Sequence, residues 1–290
     1  MDSAMNALWE FYKSRFLTLF LVSLVMSAVL QYATMFIDIK SLQSITDPNL
    51  ILQKLRSYMV PMIIIMIISM LFNTILHYFV LHKPLDPSYN IFRCLFRSLR
   101  YFVPYLAVMI VFSCLGAIAV VLGFFVFVVG AIFAVVWIAL LSFYLLPVMM
   151  VEEANIPNTF IRTVKLAYSG FWPNMGWTAI FIIIYIIISL ILSGIVLLPF
   201  AGSFIKTFAN PQDTSNIVNL PTDPLFLLLS SAVNALTLPL FPIFAFIMYF
   251  NGRAREENVM MAADSKVTEP KITVEDLYAK PRDENNFDGN

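Results

Sequence analysis

The stretch from Tyr101 to Val151 carries no charged side chain. A helix needs only about 20 apolar residues to cross a bilayer, so this stretch predicts two crossings, over residues 101–121 and 126–150. Gly116, Gly123 and Gly130 lie where a tight turn and close helix contact cost least. Helix packing alone also accounts for their spacing.

The whole chain has this apolar character. Hydrophobic residues make up 60% of the sequence and charged residues 12%, which leaves too little polar surface to cover a soluble domain of this length. The apolar blocks are continuous rather than alternating, which favours membrane-spanning helices over a membrane β-barrel. Lys+Arg and Asp+Glu are balanced at 18 each, so no net charge favours nucleic acid as a partner.

The fold class predicted is an all-α integral membrane protein with six spans in three hairpins. The membrane domain covers residues 1–251, and a mostly disordered cytoplasmic tail covers 252–290. The first apolar stretch is too long for the core of a signal peptide. The spans are expected over residues 16–37, 58–82, 101–121, 126–150, 176–199 and 225–250.

Each hairpin is expected to follow an amphipathic helix lying in the membrane interface, because Asn, apolar and basic residues recur at the same spacing after Asn6, Asn90 and Asn158. In the second such helix, basic residues lie opposite an apolar face. Lipid headgroup contacts are predicted for Arg93, Arg97, Arg100, Arg162 and Lys165, with simple anchoring at the interface as the favoured alternative.

The basic residues also predict the orientation. Most of them flank the ends of the spans that share a side with the N-terminus, which places both termini in the cytoplasm. Lys54 and Arg56 are exceptions, since they lie in the first outer loop. Cys94 and Cys114 are expected at different depths, which argues against a disulfide.

A few polar residues lie inside the predicted spans. Such residues either line a path through the membrane or form hydrogen bonds between helices, and the second interpretation is favoured. Pro239 and Pro242 are expected to open part of the sixth span. The candidate path consists of Gln31, Asn73, His77, Asn234 and Thr237.

No catalytic or metal site can be assembled from the sequence. The two histidines have no carboxylate within any span to complete a metal site or a proton relay. Glu152 and Glu153 follow a span directly and precede a basic helix, so an ion pair or a helix-terminus role is expected for them. No cofactor is predicted.

One segment carries a family resemblance. The run L-P-V-M-M-V-E-E-A-N-I-P-N-T-F-I-R-T-V-K-L-A-Y-S-G-F-W-P-N, with the later Y-F-N-G-R-A-R-E-E-N, resembles the glycerophosphoryl diester phosphodiesterase membrane-domain family and its stand-alone bacterial relatives. The resemblance covers roughly residues 1–260. A serine frequent in the amphipathic helix of relatives has only Ser169 as its nearest counterpart.

The resemblance implies a bacterial inner-membrane protein whose fused relatives carry hydrolysis on a separate soluble barrel, a domain for which the 252–290 tail is too short. Because amphipathic helices recur and no catalytic site can be assembled, we expect a non-enzymatic protein that acts as a scaffold or organises lipids, with membrane lipids and a membrane protein or a second copy of the chain as partners. The alternative is a transporter or flippase for a small solute or lipid.

Overall fold

The computed structural model describes residues 6, 9–10, 12–35, 37, 47–82, 91–153, 155–203, 205 and 220–267, without the side chains of 48, 91–94, 127, 221 and 258–267. These ranges form helices and short connections. Single 3₁₀ turns cover Leu198–Phe200 and Leu220–Thr222. The helices are α1 (Phe16–Thr34), α2 (Pro48–His82), α3 (Ile91–Phe125), α4 (Phe127–Val151), α5 (Ile156–Tyr168), α6 (Phe171–Leu197), α7 (Pro224–Thr237) and α8 (Leu240–Val267).

Among the residues that the structure describes, six helical stretches are long and apolar enough to cross a membrane: α1, α2, α3, α4, α6 with the turn after it, and α7 continued by α8. This confirms the all-α, six-span fold. An aspartate followed by proline predicts a helix start, with the aspartate as N-cap and the proline in the first turn. Asp47-Pro48 confirms this, because α2 begins at Pro48 and the Asp47 carboxylate accepts a hydrogen bond from the Asn49 backbone N–H at 2.9 Å. The second start signal, Asp86-Pro87, lies outside the described residues.

The basic segment before the third span differs from the prediction. It was expected as a separate helix lying flat, but α3 runs unbroken from Ile91 to Phe125. No glycine lies between Ile91 and Tyr101, and Pro104 does not end the helix. The arginines therefore stand on the first turns of a spanning helix. Helix α5 is a separate helix, as expected. Most of residues 1–11 lie outside the described part, and residues 12–14 are helical up to a turn at Arg15, after which α1 begins.

The turn between α3 and α4 confirms the glycine prediction. Only Val126 separates the two helices. A Cβ added to Gly123 would lie 2.7 Å from the carbonyl carbon of Gly130, a distance that two non-bonded carbon atoms do not adopt. Glycine at both positions therefore allows the two backbones to meet at this turn.

The sixth span is broken, as its prolines predicted. Helix α7 ends at Thr237 and α8 begins at Leu240, because Pro239 has no N–H to donate to the preceding turn. The break leaves backbone carbonyls without helical partners. The Tyr12 hydroxyl donates to a carbonyl next to the break, that of Leu236, at 2.9 Å. Helix α1 packs along α7 beyond this bond.

The core lies toward one end of the bundle. Leu140, Tyr144 and Leu145 on α4 are fully buried, as are Ala245 and Tyr249 on α8. The opposite halves of α2, α3 and α6 expose large apolar side chains, which is the expected surface of helices that face lipid. The end of the bundle that holds the buried core is the end where α5 lies. Helix α8 continues past the apolar stretch to Val267, so the predicted tail begins as helix, and residues 268–290 lie outside the described part.

Candidate functional site

Helix α5 begins with a well-formed cap. The Asn155 side chain accepts a hydrogen bond from the Asn158 backbone N–H at 3.1 Å, and Pro157 stands in the first turn, both of which favour a helix start. Glu153 just before it has a φ of 46°, and this left-handed residue turns the chain sharply out of α4. Thr159 and Thr163 lie on the buried face of the helix.

Arg162 is the centre of the polar side chains around α5. Its Nη1 and Nη2 donate to the two Glu256 carboxylate oxygens at 2.7 and 2.5 Å. Its Nε donates to Glu152 at 3.0 and 3.1 Å. Such a two-pronged pairing is the geometry that a guanidinium makes best. Hydrogen bonding to Glu256 first, and then to Glu152, raises the pKa of Arg162 and keeps it charged.

Both carboxylates have further partners. Glu152 also accepts from the Tyr249 hydroxyl at 3.0 Å and from Arg253 at 3.1 Å. Glu256 also pairs with Lys165, whose Nζ lies 2.9 Å away. The network joins the end of α4, α5 and the charged turns of α8, and we call this side of the molecule the charged face. The end of α4 and that of the sixth span therefore lie on the same side of the bundle.

Asn174 links α6 to the same region. Its side-chain amide donates to the Ala167 carbonyl at 3.1 Å, near the end of α5. Its side-chain oxygen accepts from Arg255 Nη1 at 3.1 Å. The nitrogen and the oxygen of this buried amide therefore each have a hydrogen-bond partner, which is typical of a structural role. Asn174 thus fixes the angle between α5 and α6 and holds Arg255 in place.

The predicted headgroup contacts separate into two groups. Arg162 and Lys165 are ion-paired with carboxylates of the chain itself. The Lys165 side chain is nevertheless 60% exposed, and the lipid contact expected of these two residues stays a prediction. Arg97 and Arg100 are exposed on the first turns of α3. The Arg93 side chain lies outside the described residues.

The candidate polar path is not assembled as one group. Asn73 donates to the Tyr105 hydroxyl at 3.2 Å, and His77 Nδ1 is hydrogen-bonded to the Asn73 carbonyl at 2.9 Å. The His77 ring packs 5.9 Å from that of Phe246. Thr237 donates to carbonyls of its own helix. These hydrogen bonds match the favoured interpretation, in which the polar residues connect or cap helices.

Gln31 and Asn234, two members of the candidate path on different spans, lie far apart. The Tyr12–Leu236 hydrogen bond fixes the alignment of the antiparallel pair α1 and α7. Asn234 lies one half-turn from Leu236, whereas Gln31 is near the other end of α1. At a rise of about 1.5 Å per residue, roughly 20 Å or more of helix separates them.

Four of the grooves among the described residues are well formed, and none of these four is lined by the candidate path. Two flank the Glu152 carboxylate, one on each side of the charged face. A third runs along α3 and α4, from the glycine turn to Trp137 and Tyr168. The fourth lies between α6 and α8 beside Asn174 and Arg255.

The ion pairs at Glu152 confirm the role expected for that residue. Sequence reasoning missed the partners of Glu152 on α8, Tyr249 and Arg253, and the pairing of Arg162 with Glu256. Only the Arg253–Glu257 pair, four residues apart on one helix, has a spacing that the sequence could have revealed. Among the described residues no group of histidine, cysteine and carboxylate side chains could hold a metal ion.

Comparisons with family models, with curated proteins and with solved structures gave no match to this chain.

Proposed function

We propose that this is a non-enzymatic multi-pass membrane protein that organises anionic lipid, or a partner bound through it, at the cytoplasmic surface of the membrane. Both termini are cytoplasmic in this proposal. The observation that carries it is the start of α3. There Phe96 exposes 72% of its surface beside the exposed Arg100, on a helix that continues directly into a span.

This arrangement suits the boundary between lipid chains and headgroups. An apolar side chain at this depth enters the acyl layer while an arginine reaches the phosphate plane. Each basic residue near an anionic surface contributes about 1 kcal/mol of attraction. Because α3 is anchored by its own span, these side chains act on lipid neighbours and do not have to hold the protein in the membrane.

The charged face supports a structural role over catalysis. A general base needs a carboxylate free to take a proton from a substrate. Glu152 and Glu256 instead accept hydrogen bonds from two cations each. The family resemblance of the α5 segment stays a prediction, and a non-enzymatic membrane domain is what it implies.

The proposal is tested by the lipids that surround the protein. The double variant Arg97→Glu/Arg100→Glu is placed in nanodiscs of phosphatidylcholine mixed with phosphatidylglycerol, and contact is measured by energy transfer to a fluorescent phosphatidylglycerol. Wild type is expected to enrich that lipid, and the variant to lose the enrichment. The matched control is Lys54→Glu/Arg56→Glu. These two residues lie near the start of α2, at the end of that helix away from His82. Equal enrichment in wild type and the α3 variant would refute the proposal.

A second candidate function, lipid or solute transport, is favoured by the break between α7 and α8. Broken helices are common at transporter sites because they free backbone groups inside the membrane. If the break serves transport, Pro239→Ala/Pro242→Ala should abolish transbilayer movement of a labelled lipid in proteoliposomes. If the wild-type protein moves the labelled lipid no faster than protein-free vesicles do, this candidate is refuted.

A further inference from the structure

Arg255 differs from the other basic residues of the charged face. Arg162, Lys165 and Arg253 each pair with a carboxylate. The hydrogen bond that Arg255 makes is to the neutral side-chain oxygen of Asn174, at 3.1 Å. A half-buried guanidinium has five N–H donors and a full charge to compensate. Within the part of the chain that the structure describes, this one neutral acceptor leaves most of that capacity unused.

The surroundings of Arg255 add positive potential. Its Nη1 lies 2.6 Å from the position that a Cβ on Gly170 would occupy. Gly170 is the N-cap of α6, and no side chain caps that helix start. The N-terminus of a helix carries a partial positive charge. The Arg255 guanidinium therefore lies beside the uncapped N-terminus of a 27-residue helix. Two sources of positive potential at one place favour the binding of an anion there.

A buried hydroxyl nearby also has no partner. Tyr144 is fully buried, and its hydroxyl makes no hydrogen bond with the described residues. It lies against Gly252, 3.3 Å from where a Cβ would stand, and within electrostatic reach of Arg255. A buried hydroxyl without a partner calls for an explanation such as a water or an ion. Beside Arg255, this phenol is a second polar group whose hydrogen-bonding capacity the described residues do not satisfy.

A narrow cavity of about 20 Å³ opens at this point between α6 and α8, room for about one water. Asn174, Asn251 and Arg255 form its polar part, and Trp177, Phe244 and Ile247 line the apolar part that continues toward the span. Tryptophan is typical of the membrane interface. An anion would therefore lie at the cavity mouth, with apolar surface beside it.

We propose that Arg255, held by Asn174 at the start of α6, binds a phosphate-type anion, either the headgroup phosphate of a phospholipid or free phosphate. The apolar wall beside the guanidinium suits the phospholipid. The site goes beyond the lipid contacts of α3, because it lies on different helices and stands even if the α3 arginines bind no lipid.

The test uses the full chain in detergent and the variant Arg255→Gln. Binding of inorganic phosphate is measured by calorimetry, and retention of phosphatidylglycerol by native mass spectrometry. A lost charge-assisted hydrogen bond of about 1.5–3 kcal/mol corresponds to a loss of affinity of about tenfold or more. Arg253→Gln, which also removes one charge but from a paired arginine, should retain wild-type binding.

The two measurements separate the two sources. Retained lipid that depends on Arg255 identifies the headgroup, and phosphate binding without lipid retention identifies the free anion; either supports the site. If neither ligand binds wild type more tightly than Arg255→Gln, the proposal is wrong. A second variant, Gly170→Ala, guards against misfolding. Its methyl group displaces only the flexible tip of Arg255, so it should weaken binding while leaving thermal stability nearly unchanged.

Discussion

Replacing Arg162 by methionine removes the centre of the charged face while keeping most of the apolar stem. The Arg162 and Glu256 side chains are 20% and 12% exposed, and the Glu152 side chain 19%. Breaking a fully buried pair costs about 3–5 kcal/mol. Here each carboxylate keeps another cation, Lys165 or Arg253. We therefore expect Arg162→Met to lower the free energy of unfolding by about 2–3 kcal/mol, near the value of charged hydrogen bonds.

The matched control is Lys165→Met. Its side chain is 60% exposed although it pairs with the same Glu256, and exposed ion pairs contribute at most about 1 kcal/mol. Unfolding is followed by titration with sodium dodecyl sulfate in mixed micelles, using circular dichroism. The double variant Arg162→Met/Glu256→Gln completes a cycle, in which a coupling of at least about 1 kcal/mol is expected. Equal losses for Arg162→Met and Lys165→Met, or no coupling, would refute the reasoning.

Two further variants are checked by the same titration. Tyr12→Phe leaves the Leu236 carbonyl without its hydroxyl partner and should cost about 0.5–1.5 kcal/mol; stability equal to wild type would mean that the carbonyl finds another donor. Gly123→Val drives a side chain into the backbone of Gly130 and should cost about 2 kcal/mol or more. Gly194→Val, where a Cβ meets nothing within 4 Å, is its control, and equal losses would contradict the role of the glycine contact.

The sequence predicted those features of the fold that depend on local physics. Apolar length alone determines which segments can cross a bilayer, so six spans followed from composition and block length. Local start signals were equally reliable. Asp223, like Asp47, caps the helix that begins at the next proline, accepting from the Leu225 backbone N–H at 2.8 Å. Pro239 breaks the sixth span because proline has no backbone N–H, and the loss of that hydrogen bond interrupts a helix in any tertiary context.

Features that depend on long-range packing were not predictable in this way. Arg162 and Glu256 are 94 residues apart, and no spacing rule connects positions on α5 and α8. The separation of Gln31 from Asn234 was not predictable for the same reason. It follows from the alignment of α1 with α7, which includes the long-range Tyr12–Leu236 hydrogen bond. Charge pattern alone also predicted a separate helix before the third span, although nothing in the sequence stops α3 there.

Labelling of single cysteines tests most directly whether the charged face lies on the cytoplasmic side of a six-span protein. The background is the chain with Cys94→Ser and Cys114→Ser, expressed in bacterial cells. Asn158→Cys on α5 and Glu257→Cys on α8 mark the charged face, and Gly202→Cys marks the opposite end of α6; all three positions are exposed. An impermeant maleimide added to intact cells should label position 202 alone, with positions 158 and 257 labelled only after lysis. Labelling of position 158 or 257 in intact cells, or of positions 158 and 202 from the same side, would contradict the account.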